Sequence, residues 1–305
     1  MKPMRIVFFG TPDFAAHSLE KVIQAGYEVV VVVTAPDKPA GRGMKIQSSA
    51  VKQTADAHGI PVLQPTNLKD AAFQETLKAY NLDLGIVIAF RMLPEAVWRM
   101  PQMGTFNLHA SRLPQYRGAA PIHHAIINGE RITGVSTFFL KHEIDTGDLL
   151  LQEQVTIDST TTTGELYKTL MELGGSLVLK TLQRIEKGEL QGIPQTYSDT
   201  LRTAPKLSRA FCEVYTHMTC EALRNKVRGL NPSPGAWIQS PYGVLKLYRV
   251  VQADAQRNNN NLYIEDKKLF LPCSDGVLEI LELQPEGKPR MQAIDFVNGI
   301  ANKRE

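Results

Sequence analysis

The chain has 305 residues, 43% of them hydrophobic and 21% charged, with a formal net charge of +3. That length accommodates two domains, and the composition is that of a folded globular protein rather than a disordered one. The longest apolar run, Val29–Val33, falls far short of the roughly 20 residues that span a bilayer, and the 3 cysteines, Cys212, Cys220 and Cys273, lack CxxC spacing, so neither a disulfide framework nor a zinc site is expected.

In chain order, a β-rich run at Ile6–Phe9 begins almost at Met1, which leaves no room for a leader and points to the cytoplasm. A helix is expected over Asp13–Ala25, a strand over Glu28–Val33, a long loop over Thr34–Ser48 and a helix over Ser49–His58. A helical stretch at Phe73–Tyr80 precedes strands at Leu84–Ala89 and Thr105–His109. This alternation argues for a mostly parallel, Rossmann-like α/β sheet with helices on both faces. Ile132–Leu140 and Leu149–Ile157 are closely spaced β-rich runs, so the sheet is expected to end in antiparallel pairing. Thr163–Lys187 reads as one amphipathic helix stopped by Gly188. Residues 1–188 are thus assigned to a first domain and the aperiodic, Pro- and Gly-containing residues 189–206 to a linker. Residues 207–305 are assigned to a smaller β-barrel, with a helix at Thr219–Gly229 and short strands from Ala236 to Leu283.

The charge is unevenly spread. Residues 1–204 hold 20 Lys and Arg against 20 Asp and Glu, and residues 205–305 hold 14 against 11, so the whole excess lies in the last third. Such a module suits phosphate contacts, although a chance imbalance on a solvated surface gives the same count.

Ligands of parallel sheets gather at the carboxyl ends of the strands. The first such end reads Phe9-Gly10-Thr11-Pro12-Asp13 and lacks the GxGxxG that a dinucleotide pyrophosphate requires; no P-loop is present either. The second leads into Pro36-Asp37-Lys38-Pro39-Ala40-Gly41-Arg42-Gly43-Met44-Lys45, which is either a cationic finger for a nucleic-acid backbone or a solvated loop. The richest stretch is Asn107-Leu-His109-Ala-Ser111-Arg-Leu-Pro114-Gln-Tyr-Arg117-Gly118-Ala-Ala-Pro121. Asn107 and His109 alternate with Leu108, so on a strand both point to one side. The loop His142–Asp148 supplies a carboxylate, Asp145. Amide and imidazolium donors with a proton acceptor suit acyl transfer through an oxyanion. The bland alternative is a buried His with a backbone partner. A Ser111–His109–Asp145 triad is a further reading, weakened by the missing GxSxG elbow.

These residues resemble the folate-dependent formyltransferases. Phe9-Gly10-Thr11-Pro12, Pro36–Gly43, Leu113-Pro114, Tyr116–Ile122, Asp145-Thr146-Gly147-Asp148, Ala204-Pro205-Lys206-Leu207 and Asn231-Pro232 all match and keep family order over nearly the whole chain. The resemblance implies formyl transfer from 10-formyltetrahydrofolate to methionyl initiator tRNA, without a metal, by a monomer. It places Asn107, His109 and Asp145 at the catalytic positions, and Phe90, Met92, Leu93, Ser111, Leu113, Pro114 and Asp145 around the folate. Lys38, Arg42, Lys45 and Lys206 would meet the tRNA, and the C-terminal module would be an OB-like tRNA-binding domain. The alternatives are a formyltransferase for a small amine, such as glycinamide ribonucleotide or an amino sugar nucleotide, or a non-catalytic folate- or RNA-binding protein.

Overall fold

The computed structural model describes residues 3–40, 45–196, 198, 200–255 and 260–301. The elements run β1 (Arg5–Gly10), α1 (Asp13–Gln24), β2 (Glu28–Val33), β3 (Lys38–Ala40), β4 (Lys45–Gln47), α2 (Ala50–Ala57), β5 (Val62–Leu63), α3 (Ala71–Lys78) and β6 (Leu84–Ile88). They continue with α4 (Glu95–Trp98), β7 (Thr105–His109), β8 (Arg117–Gly118), α5 (Pro121–Ile127), β9 (Ile132–Phe139), β10 (Leu149–Thr156) and α6 (Thr163–Glu186). The C-terminal part comprises β11 (Thr203–Ala204), α7 (Cys220–Gly229), β12 (Ala236–Ser240), β13 (Gly243–Ala253), β14 (Tyr263–Glu265), β15 (Lys268–Pro272), β16 (Val277–Pro285), β17 (Met291–Gln292) and α8 (Ala293–Ala301).

Contacts divide the chain into two compact units: residues 1–117, 134–155 and 168–203 in one, and 118–133, 156–167 and 204–305 in the other. The division is not a single cut in sequence, because residues 118–133 and 156–167 cluster with the C-terminal part.

In the first unit the seven strands lie in the order β10-β9-β7-β6-β1-β2-β5. β1 pairs in parallel with β2 and β6, as does β6 with β7, whereas β7 and β9 run antiparallel, which is the mixed sheet the strand alternation predicted. Central strands buried on both faces read as unbroken apolar runs, and Ile6, Val7, Phe8, Phe9, Ile86, Ile88 and Phe106 are all inaccessible to solvent. Helices start where side chains satisfy their first amides. Ser49 accepts from the Lys52 amide, and Asp70 accepts from the amides of Ala72 and Phe73.

Sequence periodicity missed the shortest elements. β5 has two residues and α4 four, too few for any period to register, and α5 opens on a proline at its first turn. The stretch expected to be a loop from Thr34 to Ser48 instead carries a two-stranded ribbon, with Lys38 opposite Gln47 and Pro39 opposite Ile46. Pro39 is tolerated there because both strands of a lone ribbon are edges, where a missing N–H breaks no continuing ladder. Arg42, between the two strands in sequence, lies outside the described residues.

The second unit holds the six-stranded antiparallel sheet β12-β13-β16-β15-β14, with β17 added to β16. Leu223 and Val227 of α7 and Val297 of α8 join Leu245, Leu247, Leu269, Leu271, Ile280 and Leu283 in its core. Helix α8 was not among the expected elements, although its inner side, Ala293, Phe296, Val297 and Ile300, keeps helical spacing and Asn298 and Gly299 face solvent.

Phe106 stands between Ile86 of β6 and Phe139 of β9 with no exposed surface. Phe106→Ala therefore costs about 3–5 kcal/mol of stability, seen as a lower urea midpoint; an unchanged midpoint would remove this strand from the core.

Candidate active site

Polar groups converge where β7 leaves the sheet. Asn107 and His109 sit on the same side of the strand, with Phe138 and Ser136 of β9 opposite them. Asn107 is half-buried, and no hydrogen bond engages its side chain among the described residues, so its amide is free to donate. His109 is 6% exposed. Its Nε2 lies 2.9 Å from the Tyr116 carbonyl, which can only accept, so Nε2 carries a proton there. Its Nδ1 lies 3.7 Å from Asp145 Oδ2, close enough for an ion pair whenever the ring is protonated on both nitrogens.

The two residues facing His109 share an unusual backbone. Tyr116 has φ 61° and Asp145 φ 56°, both in the left-handed region, and Ala89 at the end of the neighbouring β6 has φ 46°. Such conformations cost on the order of 1–3 kcal/mol in residues with a Cβ and persist only when the surroundings impose them. Half of the six non-glycine residues with positive φ among those described thus gather at the carboxyl edge of the parallel strands, where a ligand site is expected.

Hydrogen bonds hold the 111–116 turn. The Ser111 hydroxyl donates to the Gln115 carbonyl at 2.6 Å, and the Ser136 hydroxyl donates to the Ser111 carbonyl at 2.6 Å. The Leu113 amide donates to Ser136 Oγ, the Gln152 amide group donates to the Leu113 carbonyl, and the Tyr116 amide donates to the Arg202 carbonyl at 2.7 Å. Ser111 is fully buried with its proton directed at Gln115 and His109 faces other partners, so nothing in this geometry supports a serine nucleophile.

The Asp145 loop is held from across the unit. Gln195, in the stretch expected to be a linker, sends its amide nitrogen to the Asp145 carbonyl at 2.9 Å and the Gly147 carbonyl at 2.7 Å. Its oxygen accepts from Arg117 Nη2 at 2.5 Å. Gly147 is required by close approach, since a Cβ there would stand 1.6 Å from the Phe139 carbonyl oxygen. Tyr116, Arg117 and Gln195 were not singled out for this site by sequence; only Tyr116-Arg117, inside the richest polar stretch, carried any signal.

The remaining expected residues divide by burial. Met92 is 74% exposed, Phe90 is half-buried with its ring 6.0 Å from that of Phe9, and Pro114 is half-buried. Leu93 and Leu113 are buried, Leu93 within the core that includes Val97. Lys38 and Lys206 are both exposed, each in its own unit, and of the Lys45 side chain nothing is described.

The basic ribbon has a polar root. Lys52 Nζ donates to Asp37 Oδ2 at 2.6 Å and to Gln64 Oε1 at 3.0 Å. Gln64 Nε2 in turn donates to Asp37 Oδ1 at 2.7 Å and to the Ala35 carbonyl at 2.8 Å. Among the described residues no group of His, Cys, Asp or Glu is arranged to hold a metal ion, the three cysteines are free and buried, and no helix is long and apolar enough to cross a membrane.

Residues 4–182 match the formyl transferase sequence family, and residues 206–301 match its C-terminal domain. The chain is 45% identical to the methionyl-tRNA formyltransferase of Bacteroides fragilis, over 97% of this chain and 95% of that protein. It is 47% identical to the methionyl-tRNA formyltransferase of Parabacteroides distasonis over the same shares. The fold is that of an N-formyltransferase from Helicobacter canadensis, solved with folinic acid and dTDP-3-aminofucose, with TM-score 0.69, 19% identity, and 91% of this chain and 98% of that one covered.

The Lys52 ammonium, then Gln64, hold the Asp37 carboxyl below the usual aspartate range. Asp37 stays ionised as pH falls past the point where an ordinary aspartate protonates, so the tie at the ribbon's root is present above that range and is lost only as pH drops through the lowered value. In Lys52→Met the carboxyl is expected to titrate at higher pH, nearer an ordinary aspartate, in an NMR titration; an unshifted curve would show that Lys52 does not hold it.

Proposed function

The chain belongs to the formyltransferase family, among the methionyl-tRNA formyltransferases, and from that premise we propose that it moves the formyl group of 10-formyltetrahydrofolate onto the α-amino group of methionine carried by initiator tRNA. The observation that carries this reading is identity of 45–47% to methionyl-tRNA formyltransferases over nearly the full length of both chains. The polar cluster at the end of β7 supports it chemically.

In the transfer, the amine nitrogen bonds to the formyl carbon, the bond from that carbon to N10 of the folate breaks, and a proton leaves the amine while N10 gains one. Negative charge builds on the formyl oxygen in between. Asn107 has a half-buried amide that no hydrogen bond engages among the described residues, which suits donation to that oxygen. His109 is held by the Tyr116 carbonyl on one side and faces Asp145 on the other, so a second proton would make it a cation beside the developing charge. Asp145 orients that ring and accepts a proton from the attacking amine. The folate is taken to lie along Phe90, Met92, Leu93 and the 111–114 turn.

The tRNA is taken to meet the ribbon carrying Lys38, Arg42 and Lys45, together with Lys206 and the basic C-terminal module. A cationic ribbon rooted by Lys52, Asp37 and Gln64 suits an anionic macromolecular acceptor better than a small amine. The cytoplasm, where charged tRNA is found, is the compartment this reading requires.

Formylation of methionyl initiator tRNA by 10-formyltetrahydrofolate is the direct test, with free methionine and an amino sugar nucleotide as competing acceptors. Turnover on a small amine alone would discard the tRNA reading. Asn107→Ala is expected to lower kcat by roughly 100- to 1000-fold with tRNA affinity unchanged, and a wild-type rate would remove Asn107 from the reaction. Arg42→Leu is expected to raise KM for the charged tRNA and to flatten its salt dependence while sparing folate binding; unchanged kinetics would take Arg42 out of the tRNA contact.

A further inference from the structure

The Asp145 loop poses a mechanical problem. Residues 141–144 are exposed, Ile144 at 63%, and Asp145 itself occupies a left-handed conformation. A carboxylate on such a loop does not stay beside an imidazole 3.7 Å away unless something fixes the backbone that carries it. The 192–195 segment fills that role in two ways. Leu149 and Ile193 exchange both backbone hydrogen bonds at 2.8 Å, which brings the segment against the loop's exit, where Gly192 packs so closely on Asp148 that a Cβ would lie 2.6 Å away. Gln195 then reaches in and takes the Asp145 and Gly147 carbonyls with one amide nitrogen.

Arg117 determines which way round that amide sits. A guanidinium only donates, so the atom it meets must be the Gln195 oxygen, at 3.2 Å from Nε and 2.5 Å from Nη2, which leaves the NH₂ toward the two carbonyls. Gln195 is 7% exposed, so water does not readily replace these bonds. Residue 117 directly follows Tyr116, whose carbonyl holds the other side of His109. One side chain thus links the turn on the Nε2 side of the imidazole to the loop on its Nδ1 side.

We propose that Gln195, oriented by Arg117, is a positioning residue that keeps Asp145 in register with His109. This rests on the catalytic reading of Asp145 given above. Gln195 touches no reacting atom; it acts through the backbone of the loop, and misplacing a catalytic group by about 1 Å costs on the order of 100-fold in rate.

The test uses the full chain with Gln195→Leu, which removes the amide, and Gln195→Glu, which keeps its length and turns an acceptor toward the two carbonyls. Each is made alone and with Asp145→Asn, and single-turnover formylation of methionyl initiator tRNA is followed together with thermal unfolding. Each single variant is expected to lose roughly 10- to 100-fold in kcat, with KM for tRNA and melting temperature nearly unchanged. In the Asp145→Asn background the same changes should alter the rate by less than about threefold, because groups acting through one another are not additive. A full loss in both backgrounds, a wild-type rate in both variants, or a rate loss matched by a large fall in melting temperature in both would overturn the proposal. A wild-type rate for Asp145→Asn alone would overturn the catalytic reading itself and the clamp with it, an outcome separable from failure of the clamp with Asp145 intact.

Discussion

A single imidazole faces an acceptor at each ring nitrogen, and much of the first unit's local geometry follows from keeping both acceptors in place. Tyr116 and Asp145 offer a carbonyl and a carboxylate from backbone conformations that residues with a Cβ resist. Each such conformation costs on the order of 1–3 kcal/mol, and each hydrogen bond returns about 1 kcal/mol. Several bonds are therefore needed for every strained turn, and that is what surrounds them. Ser111, Ser136, Gln152 and the Arg202 carbonyl secure the first turn, and Gln195 with the Leu149–Ile193 exchange secures the second. The strain marks a site whose parts are set before a substrate arrives.

The sheet was legible in the sequence because its central strands are buried on both faces and so spell continuous apolar runs, and because the intervening helices are long enough to show a period. Asn107 and His109 were legible because a strand's alternation puts them together, and Asp145 because it falls in a polar loop between two β-rich runs. Gln195 was not. Its importance comes from a contact made across 50 residues of chain, and the stretch around it has the aperiodic, Pro- and Gly-containing composition of a linker. The family resemblance placed Ser111 around the folate, and its hydroxyl is buried and bonded within its own turn, a contact that the sequence does not show.

The basic ribbon illustrates how composition conceals structure. Glycine, proline and lysine together read as a flexible loop, yet the stem pairs as two strands and stands on a cross-linked root of Asp37, Lys52, Gln64 and the Ala35 carbonyl. Lys38 is thereby carried on a paired stem with a set direction rather than on a loop of many conformers.

The placement of Gln195 bears on how the enzyme comes into being. The stretch that matches the formyl transferase family ends at residue 182, and the residue that grips the Asp145 loop lies beyond it. A nascent chain that has just completed α6 already contains His109, Tyr116 and Asp145, whereas Gln195, which takes the carbonyls of Asp145 and Gly147, is still to come. On the roles proposed for His109 and Asp145, the pair is aimed only once the polypeptide has crossed back over its own loop, and a chain cut at residue 182 would keep both side chains without Gln195.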